Sequence, residues 1–159
     1  KKISEYGKQL REKQKLKAYY GILEKQFKIY VEAAMHSKGN SGEKLVQRLE
    51  QRLDNMTYRL GFASTLRQAR QMVVHGHILV NGKKVDRPSY KVEVGDTISL
   101  KEKSKSIAIF KDSFISTTTN LPYLEKNLND FSGKLIAEPK RDQVPIEVTD
   151  SYIIEFYSK

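Results

Sequence analysis

The chain contains no cysteine. Disulfide scaffolds, thiolate zinc sites and thiol catalysis are therefore excluded within it. No run approaches the roughly 18 consecutive apolar residues that a transmembrane helix needs. No charged–apolar–small pattern opens the chain as a secretory signal would, and the plain expectation for such a sequence is the cytoplasm. Histidine is scarce, with His36, His75 and His77 only. None of the three sits in a motif that pairs it with a nucleophile and an orienting acid. A glycine-rich phosphate loop, a G-x-S-x-G elbow and an H-E-x-x-H pair are all missing. The acids are scattered and mostly neighbour lysine or arginine, and no serine or threonine is tied to a general base. The expectation is a protein that is not an enzyme and needs no cofactor.

Acidic charge is scarce in one part of the chain. The net charge over 159 residues is +10, and residues 1–100 carry 20 Lys and Arg against 10 Asp and Glu, while residues 101–159 carry nine of each. A localised cationic field favours polyanions, either nucleic acid or an anionic membrane surface. The membrane reading requires a helix with one large apolar and one basic face, and none is found. The length leaves room for one domain or two small ones.

Residues 5–20 read as a helix that is polar nearly all round, with Lys8, Arg11, Lys13, Lys15 and Lys17 against sparse apolar contacts at Tyr6, Leu10 and Leu16. Such a helix is either solvated through Glu–Lys pairing or laid on phosphates. Gly21 breaks the pattern. Leu23, Phe27, Tyr30 and Ala34 then recur at helical spacing and predict a core stripe. After the loop 37–42, Asn40 with Glu43 suggests a capping-box start. Leu45, Val46, Leu49, Leu53, Met56 and Leu60 predict one long amphipathic helix with Arg48 and Arg52 on its polar side, stopped at Gly61.

The richest stretch is residues 64–85. Ser64 is a good N-cap for a short helix whose Leu66, Ala69 and Val73 face a core. Arg67 falls in its first turn, where the helix dipole disfavours a cation by about 0.3–1 kcal/mol. A bound phosphate would reverse that sign; a fully solvated arginine would make it negligible. Arg70 and Gln71 add to the same basic helix. His75-Gly76-His77 leads into a strand, and Asn81-Gly82 predicts a type I′ hairpin turn followed by Lys83 and Lys84. His75 and His77, two apart, would share a strand face and resemble a metal pair. Gly76 between them suggests a turn instead, and no carboxylate lies nearby, so no metal site is expected. Further on, Thr97–Leu100 reads as a strand, 101–106 as a solvated connector and 107–114 as a short helix. Residues 123–127, 134–137 and 153–157 read as strands of a β-rich, charge-neutral tail.

These residues resemble a known family. EYGKQLREKQKLKAYYG (5–21), EKQFKIY (24–30), LEQRLDNMTYRLGFA (49–63), RQARQMVVHGHILVNGKKVDRPSY (67–90) and IIEFYSK (153–159) are together similar to bacterial small-subunit ribosomal protein S-four. The central stretch alone resembles the RNA-binding module named after that family, which is also attached to RNA-modifying and tRNA-charging enzymes. The resemblance implies an α+β fold. A helical domain over 1–50, which residues 151–159 could join, would precede an RNA-binding domain over 51–150 with an antiparallel β-sheet and helices packed on one side. It implies binding to small-subunit ribosomal RNA at a multi-helix junction early in assembly. It also implies a place beside ribosomal protein S-five, near where messenger RNA enters the subunit, and repression of the protein's own messenger RNA in some members. The free protein is expected to be a monomer with no membrane association. The basic helix and hairpin of the family correspond to Arg67, Arg70, Gln71, His75, His77, Asn81, Lys83 and Lys84. Its N-terminal helical region corresponds to Arg11, Lys13, Lys15 and Lys17. Lys8, Arg48 and Arg52 complete the candidate RNA contacts. In the family an N-terminal arm, sometimes with cysteine metal ligands, comes before this region; the chain, opening on Lys1, is expected to be a fragment or processed product without it.

Two other readings compete with a structural ribosomal protein. The chain could be the RNA-docking module of an RNA-processing factor, but the neutral tail is short for a catalytic domain. It could also be a DNA-binding regulator that uses the 64–75 helix, which a comparison of folded RNA with duplex DNA would separate.

Overall fold

A computed structural model describes residues 2–158; Lys1 and Lys159, the ends of the expected 1–50 and 151–159 segments, lie outside the described residues. The element order is α1 (Glu5–Tyr20), α2 (Glu24–Met35), α3 (Ser41–Glu50), α4 (Leu53–Arg59), α5 (Leu66–Val74), β1 (Ile78–Val80), β2 (Lys83–Lys84), β3 (Thr97–Leu100), α6 (Ala108–Ser116), β4 (Leu124–Asn127), β5 (Ser132–Leu135) and α7 (Asp150–Tyr157). Short 3-10 turns lie at Glu102–Ser106 and Arg141–Gln143. Two compact units result. One runs up to Leu49 and takes in the chain again from Lys140, and the other is Glu50–Pro139. The expected split kept residues 140–150 with the second of these.

The first unit is helical. Ser4 caps α1 by accepting from the Gly7 N–H at 3.0 Å, and Gly21 ends the helix in the left-handed region at φ 63°. Phe27, Tyr30, Val31 and Ala34 form the buried stripe of α2, as their spacing predicts. They join Leu16, Tyr20, Leu45, Leu49, Val144 and Ile153 in one core. The polar aspect of α1 is misleading, because its buried face includes Gln9, Glu12 and Lys13 beside Leu16 and Tyr20. That face meets α7. Glu12 Oε1 accepts from the Thr149 N–H at 2.8 Å, and Gln9 Nε2 donates to Glu155 Oε1 at 3.4 Å. A carboxylate at the start of α7 suits the positive end of its dipole.

α7 corrects the expected strand at 153–157. A five-residue apolar run does not distinguish helix from strand by periodicity. Here the packing surface of α1 decides, with Ile153 fully buried and Tyr6 against Phe156 at 5.5 Å between ring centroids.

In the second unit the sheet order is β2-β1-β3-β5-β4, antiparallel throughout. The fold class is therefore α+β. Alternation buries Ile78 and Val80 on β1 and Ile98 and Leu100 on β3. These pack with Leu53, Met56 and Leu60 of α4, Ala69, Met72 and Val73 of α5, and Phe110 and Phe114 of α6. The predicted long helix through 43–60 is broken at Gln51–Arg52, where Arg52 is extended at ψ 143°. Residues 90–92 capture the backbone there: the Leu53 N–H donates to the Tyr90 carbonyl at 2.9 Å and the Val92 N–H to the Gln51 carbonyl at 2.8 Å. The connector at 101–106 is ordered too, because Ser104 is buried against His77.

Candidate nucleic-acid interface

The helix expected to carry the contacts starts one residue later than its sequence suggests. Thr65, not Ser64, is the N-cap, and its Oγ1 accepts from the Gln68 N–H at 3.0 Å. The Gln68 side chain returns the bond, with Oε1 accepting from the Ser64 N–H at 3.0 Å. This reciprocal arrangement satisfies N-terminal donors that would otherwise be open to solvent. With Ala69, Met72 and Val73 turned into the core, α5 leaves Arg67, Gln71 and His75 exposed at intervals of four. They form one row along the helix and its C-cap.

The row ends at a closely defined turn. The Gly76 N–H donates to the Val73 carbonyl and the His77 N–H to the Met72 carbonyl, each at 3.0 Å. This is the Schellman closure, and Gly76 takes the left-handed conformation it requires at φ 80°. A Cβ at Gly76 would stand 3.1 Å from Lys84 Cδ, so the stem of Lys84 lies across the helix end. Lys84 and Lys83 form the exposed edge strand β2, paired with Leu79 and Val80. Asn81 at φ 52° and Gly82 at φ 81° turn the hairpin as predicted. The row on α5 and Lys84 of the hairpin thus meet at Gly76.

Several candidate residues have internal work instead. Arg52 is buried and pairs with the buried Asp54 at 3.0 Å. It moves from the contact list to the framework, because its partner lies inside the fold. Lys13 moves likewise: its ammonium is 2.7 Å from Glu24 and lies over the rings of Phe156 and Tyr157. The Asn81 side chain ties the hairpin turn to the start of β3, donating to Asp96 Oδ1 and accepting from the Thr97 N–H, both at 2.9 Å. His77 packs its ring edge-on to Phe110 and places Nδ1 2.7 Å from Ser104 Oγ. Burial, with the charges of His75 and Lys101 near by, pushes its pKa below the usual histidine value. Arg70 is intermediate, with its Nε 2.9 Å from Asp54 and about a third of its side chain exposed.

On the helical unit, Lys17 reaches Glu24 at 3.2 Å and Arg48 stacks over Tyr30 at 5.1 Å. Lys8 is half-buried, while Arg11 and Lys15 flank Glu12 from exposed positions. Arg87, Lys91 and Lys101 are further exposed cations of the second unit. Motif reading passed over them, and only their charge in loop sequence marked them. Among the described residues, no group of three or more His, Cys, Asp and Glu is arranged to hold a metal, and no helix is long and apolar enough to cross a membrane.

The α5 row and its hairpin fall in residues 51–98, which match the S4 domain; residues 1–50 match the ribosomal protein S4/S9 N-terminal domain. The chain belongs to the ribosomal protein S4 family. It is 59% identical to small ribosomal subunit protein uS4B of Clostridium acetobutylicum over 158 residues, which is 99% of this chain and 82% of that protein. Similarity extends to uS4 of Clostridium beijerinckii, 52% identical over 100% of this chain and 77% of the relative, and to uS4 of a Thermoanaerobacter species, 51% identical with the same coverage. As a member of the S4 family it is a structural, ribosomal-RNA-binding protein of the small ribosomal subunit and not an enzyme.

Proposed function

We propose that this protein is a primary binder of small-subunit ribosomal RNA that nucleates assembly by engaging a multi-helix junction. The observation that carries the reading is the exposed row Arg67–Gln71–His75, continued by Lys84 across Gly76, with Lys83 exposed in the same edge strand. Arg70 borders that row, and Lys8, Arg11 and Lys15 offer a second basic surface on α1. Arginine and lysine neutralise phosphates and release counterions. RNA helices present shape, phosphates and 2′-hydroxyls rather than readable base edges. Selectivity then follows from holding cations at fixed spacing on a packed frame, so that only a fold with matching phosphates satisfies them together. In this reading the protein acts in the cytoplasm, without a membrane and as a monomer before assembly. Ribosomal protein S-five is its neighbour, messenger RNA passes near by, and the same surface represses translation of its own message.

The test is binding to a small-subunit ribosomal RNA junction fragment over a salt series, with duplex RNA and duplex DNA of equal length as competitors. Tight junction binding that resists both competitors, with a steep salt slope, is expected. Equal binding to all three would reduce the protein to a general polyanion binder.

A further inference from the structure

Asp54 is a buried carboxylate shared by two arginines from different parts of the fold. Its side chain is 1% exposed. Arg52, itself 5% exposed, already approaches it as a fork, Nε to Oδ1 at 3.1 Å and Nη2 to Oδ2 at 3.0 Å. The Asn55 N–H adds a third bond to Oδ1 at 2.8 Å. A bidentate arginine and a backbone donor suffice to hold a buried carboxylate. Arg70 Nε also donates to Oδ2, at 2.9 Å, so a second arginine shares the same carboxylate. Unlike Arg52, Arg70 comes from α5 and keeps 32% of its side chain exposed. It lies three residues from Arg67 and next to Gln71, on the border of the exposed row.

We propose that Asp54 is a positioning residue for RNA binding: it grips Arg70 by Nε and fixes the guanidinium at the surface in the orientation that meets an RNA phosphate. This rests on the reading that Arg70 contacts RNA. A guanidinium tethered at Nε has lost its side-chain freedom before the ligand arrives, so less entropy is lost on binding. Arg52 serves the fold by neutralising Asp54; Arg70 uses the same carboxylate as an anchor. A lysine at position 70 would carry the charge but has no Nε–H to be gripped.

The experiment compares Arg70→Ala, Arg70→Lys and Asp54→Asn, the last alone and combined with Arg70→Ala, in binding to the junction RNA over a salt series. A thermal melt of each variant reports its fold. Arg70→Ala is expected to weaken binding about tenfold or more and to lower the salt slope by about 1. Arg70→Lys is expected to keep the slope and still lose most of that affinity. Asp54→Asn is expected to weaken binding in the wild-type background and to do nothing further when Arg70 is already alanine. Wild-type affinity in Arg70→Ala would overturn the contact reading and this inference with it. Loss in Arg70→Ala with wild-type affinity in Arg70→Lys would overturn the positioning role alone. An equal loss from Asp54→Asn in both backgrounds would do the same, as it would mean a general loosening of the frame. If Asp54→Asn does not fold, the lysine variant decides.

Discussion

The Tyr123 hydroxyl donates to Glu50 Oε2 at 2.7 Å, although 73 residues separate the two. Glu50 is fully buried, and Arg59 completes the site through Nε at 2.8 Å and Nη2 at 3.2 Å. The start of the second unit is thereby tied to the beginning of its last hairpin. Hydrogen bonds to charged groups contribute more than neutral ones, so Tyr123→Phe is expected to cost about 1.5–3 kcal/mol. Glu50→Gln removes the charge that Arg59 pairs with and is expected to cost about 3 kcal/mol or more. Urea denaturation of the two variants checks both figures, and a loss from Tyr123→Phe within error of zero would remove the site from the framework.

The Arg67 side chain is exposed and has no hydrogen-bond or ion-pair partner among the described residues, so Arg67→Ala should leave the melting temperature unchanged. Its junction affinity is expected to fall by roughly 1–3 kcal/mol, as for a lost charge-assisted contact. Lys84→Ala is expected to act in the same direction. Titrations against the RNA junction alongside thermal melts separate the two effects.

His75 and His77 are expected to part company. His75→Ala should weaken RNA binding and spare stability. His77→Ala should destabilise the fold through loss of the Phe110 and Ser104 contacts. Because the folded pKa of His77 is depressed, the unfolded chain binds its proton more readily. The contribution of His77 is therefore fully present above the unfolded value and is lost as pH falls through it toward the folded one. Stability measured across that range should decline on acidification more in wild type than in His77→Phe.

A second pH dependence lies in the helical unit. Burial raises the Glu24 pKa, but hydrogen bonds from Lys13, Tyr157 and Lys17 outweigh it and hold the carboxyl near 2, against an ordinary value of 4.5. A depressed acid stabilises above its unfolded pKa and ceases to do so as pH falls through the folded one. Glu24→Gln should therefore be less stable than wild type at neutral pH, and the gap should close between 4.5 and about 2. Glu24 is 45% exposed, so solvent screening makes the effect modest. A gap that stays constant through that range would rule out the ionic contribution.

Gly76→Ala places a side chain at φ 80° and brings its Cβ 3.1 Å from Lys84 Cδ. The left-handed conformation alone costs about 1–2 kcal/mol. Displacing Lys84 should weaken RNA binding further, beyond what the loss of folded protein explains. The measurement is affinity per folded molecule, with unchanged affinity counting against the role of Lys84.

Much of both units was legible where the signals are local. Asn81-Gly82 requires positive φ at both positions, Gly76 requires it once, and the stripes of α2 and α5 repeat at helical spacing, so each reads without knowledge of distant partners. The charge imbalance and the family resemblance likewise needed no structure. Tertiary contacts decided the rest. The run Ile153–Tyr157 became helix because α1 offered it a surface, and the 43–60 pattern broke because residues 90–92 took its backbone hydrogen bonds. Gln9, Glu12 and Lys13 are buried because α7 and Glu24 supply partners that a polar stripe does not announce. Arg52, Arg67 and Arg70 are the same residue type in one basic stretch, yet the first is buried, the second exposed and the third held at the surface. Charge is a property of the residue and so belongs to the sequence. Whether that charge meets a buried carboxylate or solvent depends on where Asp54 lies, and only folding decides that.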